Sequence, residues 1–62
     1  MCELTVYTVS GAKREKVMES VVRLLSRDGK VLLEGILGDS MEVTGRLVDV
    51  DIIAQEASIT VA

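Results

Sequence analysis

One cysteine and no histidine in 62 residues constrain this chain more than any motif in it. A domain this short buries only about 60% of its unfolded surface and stands near the limit of independent folding. Scaffolds of this size commonly rely on a disulfide, a structural metal or a second chain. Cys2 alone cannot form an intramolecular disulfide, and one Cys without His falls short of the four ligands of a structural zinc site. What is left is aliphatic packing, completed by oligomerisation. The aliphatic residues are there: 48% of the chain is hydrophobic, while Tyr7 is the only aromatic and proline is absent. A core of Val, Leu and Ile suits a small β-rich domain.

Residues 2–9 alternate, with Cys2, Leu4, Val6 and Thr8 on one face and Glu3, Thr5, Tyr7 and Val9 on the other. That period of two predicts a strand, followed by turn residues and a polar tip over Ser10-Gly11-Ala12-Lys13-Arg14. Residues 15–27 read two ways. The apolar positions 17, 18, 21, 22, 24 and 25 fit one face of a helix, and they also fit two short strands broken near Glu19-Ser20. Neighbouring hairpins favour the strands. Asp28-Gly29 is the strongest hairpin signal. Residues 30–37 return as a strand, with Gly35 a bulge or close approach, and Gly38-Asp39-Ser40 turn again. Residues 41–53 give the longest strand pattern, with its apolar side switching near Arg46-Leu47-Val48. Ala54-Gln55-Glu56-Ala57 is read as a turn, and residues 58–62 close the sheet. The expectation is all-β: one domain over 1–62, about six short strands in a small antiparallel barrel or two-sheet sandwich.

The net charge of −3 argues against a nucleic-acid surface. The cluster Lys13-Arg14-Lys16 is small and offset by Glu15. Without histidine a hydrolase triad is unavailable, and the chain is not expected to be an enzyme. No charged n-region followed by an apolar run opens it, and no apolar stretch approaches the ~20 residues of a membrane span. These features predict a cytoplasmic protein, with Cys2 kept reduced. Asp49 and Asp51 share a strand face about 7 Å apart, but no other oxygen ligands accompany them, and a solvated outer face explains them. Met18 and Met41 read as core filling.

Cys2 is the sharpest chemical feature. It reads either as a small buried hydrophobe on the inner face of the first strand or as a metal ligand. In the second reading its thiolate lies beside the chain's amino group and one or two backbone amides, all able to close small chelate rings. Thiolate and nitrogen ligands in a square plane suit Ni(II) or Cu(II). One such end supplies two or three donors. A two-fold dimer that joins two ends supplies four, including two sulfurs, and a two-fold axis is the commonest oligomer symmetry.

The run of segments also resembles a known family. Met1-Cys2-Glu3 leads into the alternating strand, followed by Lys16-Val17-Met18-Glu19-Ser20-Val21-Val22-Arg23-Leu24 and Leu33-Glu34-Gly35-Ile36-Leu37-Gly38-Asp39. Then come Met41-Glu42-Val43-Thr44-Gly45-Arg46-Leu47 and Val50-Asp51-Ile52-Ile53. In this order and spacing they resemble the CooT-like family of small nickel-binding proteins, tied to maturation of the nickel enzyme carbon monoxide dehydrogenase. The resemblance implies a small SH3-like or Sm-like barrel forming a homodimer. It also implies Ni(II) held by Cys2 of both protomers, with N-terminal backbone nitrogens completing the site. By that resemblance the protein is a nickel carrier, with a nickel enzyme such as carbon monoxide dehydrogenase as a partner. The competing reading is a binding module for RNA or a protein partner, or a subunit of a larger assembly, with Cys2 structural.

Overall fold

The computed structural model describes residues 3–61. Six strands follow in chain order: β1 (Leu4–Ser10), β2 (Lys13–Arg27), β3 (Lys30–Gly35), β4 (Ser40–Thr44), β5 (Arg46–Asp51) and β6 (Glu56–Thr60). They form one sheet in the order β4-β3-β2-β1-β6-β5, which does not close into a barrel. The all-β expectation and the strand count hold. The expectation of an antiparallel arrangement holds for every pair but one: β1 pairs with β6 in parallel, from Thr5↔Glu56 to Val9↔Thr60.

Residues 15–27 are strand throughout, within a single β2 rather than two pieces. Ser20 takes a left-handed conformation (φ 57°) and bends the strand without ending it. One half of β2 pairs with β1 up to Leu4↔Val21, and the other half pairs with β3 from Val21↔Gly35 onward. β2 therefore belongs to two ladders that meet at Val21. Asp28 and Gly29 both have positive φ, as a tight two-residue hairpin turn requires.

The long pattern over 41–53 is two strands turned at Gly45, with a register shift between Leu47 and Asp49. That corner and bulge are the physical form of the apolar switch at Arg46-Leu47-Val48. The turn expected at 54–57 lies at 52–55 instead, and Ala57 is a fully buried member of β6.

Val6, Val21, Val31, Leu33, Ala57 and Ile59 are fully buried and Val43 nearly so. Leu4, Val17, Met18, Leu24, Leu47 and Val61 pack around them. The core is wholly aliphatic, and among the described residues no polar side chain is buried. No helix among the described residues is long and apolar enough to cross a membrane.

Candidate metal centre

Cys2 lies outside the described residues. The chain that leads to it is well fixed. Leu4 pairs with Val21 on one side of β1, and the Thr5 amide donates to the Gln55 carbonyl at 2.9 Å on the other. Val6 then enters the core. Flanking strands thus hold β1 on both sides from its first residues. Two non-glycine residues with left-handed backbone, Ser20 (φ 57°) and Gln55 (φ 60°), stand on either side of this start. Each turns the neighbouring backbone so that the start of β1 is gripped from both flanks.

The same end of β1 gathers two turns. After β3, the Ile36 amide donates to the Ser20 carbonyl at 3.0 Å, and the Gly38 amide donates to the Gly35 carbonyl at 3.0 Å. After β5, the Asp51 carboxylate accepts hydrogen bonds from the Ile53 and Ala54 amides, both at 3.0 Å. These rigid turns hold apolar side chains in water: Leu37 is 92% exposed and Ile53 95%. Sequence reasoning placed residues 36, 37, 52 and 53 inside strands and missed this feature. Its only local signal is an apolar pair beside a turn, since Ile36-Leu37 precedes Gly38 and Ile52-Ile53 precedes Ala54-Gln55.

Asp49 and Asp51 stand opposite Ser58 and Glu56 on β6. Asp51 organises its own turn, which accounts for it without a cation. Among the described residues no group of three or more His, Cys, Asp or Glu side chains is placed to hold a metal. The basic cluster is locally neutralised. Lys13 pairs with Glu15 at 3.6 Å, Arg14 with Glu56 at 3.1 Å, and Lys16 with Glu19. The hydrogen bond and charge of Glu19 raise the pKa of Lys16, and those of Lys16 lower that of Glu19, on fully exposed side chains. Arg14 also lies over one face of the Tyr7 ring, 3.6 Å from its centroid, and Tyr7 is the single aromatic residue of the sequence.

The fold is that of a crystal structure assigned by name to CooT of Carboxydothermus hydrogenoformans. The two superpose with a TM-score of 0.88 at 23% identity, over 98% of each chain. No curated protein matches the chain. The model of the CooT family, described as CO dehydrogenase accessory protein CooT, matches residues 1–60, a span that takes in both the strand order and the Met1-Cys2-Glu3 start. The chain therefore belongs to the CooT family of CO dehydrogenase accessory proteins.

Proposed function

We propose that the protein is a non-catalytic nickel carrier of the cytoplasm that serves the maturation of a nickel enzyme such as carbon monoxide dehydrogenase. Ni(II) is its cargo, held by Cys2 of two protomers together with N-terminal backbone nitrogens. The observation that carries this reading is the placement of the start of β1. The only thiol of the chain lies two residues before Leu4, where flanking strands have already fixed the backbone on both sides. A ligand two residues from a fixed strand is limited in reach, and donors near a chain start suit an ion that must be bound and then released.

The chemistry follows from the donor types. A thiolate is a soft ligand and a deprotonated backbone nitrogen a strong-field one, and two of each favour a square-planar d8 ion. Because the thiol must lose its proton to bind, affinity falls as pH drops below the usual cysteine range near 8.5. The aliphatic core needs no metal, so loading and release leave the fold intact.

The test is a Ni(II) titration of the wild type and of Cys2→Ala, followed by ultraviolet–visible absorption and by solution mass. The expected result is thiolate charge-transfer bands that saturate at one metal per two chains and are absent in the variant, with both proteins equally folded. Bands that survive the substitution would defeat the reading. Binding of a protein or RNA partner that ignores the substitution would favour the binding-module alternative.

A further inference from the structure

Five of the seven Lys and Arg side chains stand in surface ion pairs: Lys13–Glu15, Arg14–Glu56, Lys16–Glu19, Arg23–Glu34 and Lys30–Glu42. The other two, Arg27 and Arg46, pair with no carboxylate among the described residues. They belong to different strands, yet the fold brings them to one corner. The Gly45 amide donates to the Gly29 carbonyl at 2.9 Å, which seats the β2–β3 hairpin turn against the turn between β4 and β5. Arg27 stands just before that contact and Arg46 just after it.

Register sets the direction of the side chains. Arg27 lies opposite Lys30, Lys30 opposite Thr44, and Arg46 opposite Thr60. The adjacent Val31, Val43 and Ile59 are buried, so strand alternation turns all of these side chains to the outer face. A shallow groove of about 500 Å³ runs along Gly29, Thr44, Gly45, Arg46, Thr60 and Val61, with Arg46 its one charged group among the described residues. On the other side of the hairpin turn, Arg27 and Lys30 border a hollow that Leu25 and Leu32 also line. Two carboxylates border that hollow, Asp28 and Glu42, and Glu42 is already engaged by Lys30 at 3.7 Å. Cations outnumber acids at this corner, in a chain whose net charge is −3.

We propose that this corner docks an acidic segment of a partner protein. A guanidinium without a carboxylate of its own can take one in two-pronged geometry, and the Thr44 hydroxyl adds a donor beside Arg46. Leu25 and Leu32 favour a polypeptide over an inorganic anion, because apolar side chains between the carboxylates can cover them. A nucleic acid needs a longer track of cations than this corner offers. The rest of an acidic surface repels such a partner, so the corner also fixes its approach. Its place in the fold matters too. Thr60 stands opposite Val9 in the parallel ladder and Glu56 opposite Thr5, so the groove lies at the far end of β1 from Leu4, roughly 17 Å along the strand. A partner seated there leaves the start of β1 uncovered. The proposal depends neither on nickel nor on the dimer.

The test titrates the full chain at low salt with three probes: a short capped peptide of alternating glutamate and leucine, inorganic phosphate, and a single-stranded oligonucleotide. Backbone amide spectra locate the binding and give the affinities. The expected result is that the peptide shifts the amides of Gly29, Gly45 and Arg46. Its affinity then falls roughly tenfold in the double variant Arg27→Gln, Arg46→Gln. The control double variant Lys13→Gln, Lys16→Gln removes the same charge and is expected to bind like the wild type. All four positions are exposed, and far-ultraviolet melts verify that both variants fold. Absence of peptide binding overturns the proposal. So does an equal loss in the control, since any cation would then serve. Phosphate or the oligonucleotide binding this corner more tightly than the peptide overturns it in favour of that ligand.

Discussion

Gly35 and Gly45 both interrupt strand patterns, yet the structure asks different things of them. A Cβ at Gly45 would overlap the Thr60 carbonyl oxygen and sit 2.9 Å from Ile59 Cγ2. A Cβ at Gly35 would meet the Asp39 carboxylate and, at 2.9 Å, Met18 Cε. The first obstacle is backbone within a ladder, while the second pair are the free ends of side chains. Gly45→Ala is therefore expected to cost about 2 kcal/mol, in the range of overpacked sites, and Gly35→Ala less than half of that. Urea unfolding of the two variants checks the order. Gly35 was legible in the sequence as a break in the apolar run of β3. Gly45 was not, because what crowds it comes from Thr60, remote along the chain. Cys2 was singled out by its residue type and position, since the chain has no other thiol and no imidazole, and it lies outside the described residues.

At the level of elements, β2 shows why local pattern left a choice open. Its apolar residues fall at helical spacing because the left-handed Ser20 shifts which side faces the core, and a period of two cannot survive that shift. Only the strands on either side decide the matter, and they are tertiary information. The turn after β5 was misplaced for a related reason: Ala57 resembles a turn residue until β1 packs beside it. Asp51 now supplies a test at this scale. Asp51→Ala removes the acceptor for two amides, and because the turn is exposed, water partly replaces it. The expected loss is about 1 kcal/mol, or a melting temperature lower by roughly 4–8 °C for a domain of this size. Asp51→Asn keeps the accepting oxygen and is expected to lose less than half as much.

For the whole molecule, a small aliphatic core and the proposed dimer point the same way. If association of two copies supplies part of the stability, the melting temperature rises with protein concentration, and rises again with Ni(II), by mass action. A calorimetric series over two decades of concentration checks this; a melting temperature constant across it would contradict the coupling. The parallel ladder between β1 and β6 adds a consequence in time. β1 leaves the ribosome before its parallel neighbour β6, which follows about fifty residues later, a separation of the kind that makes β-proteins slow to fold. Until β6 arrives, one side of β1 has open hydrogen-bonding groups, and the stretch beside Cys2 has only half its support. The earlier-made strand is thus held on both sides only once β6 has followed it.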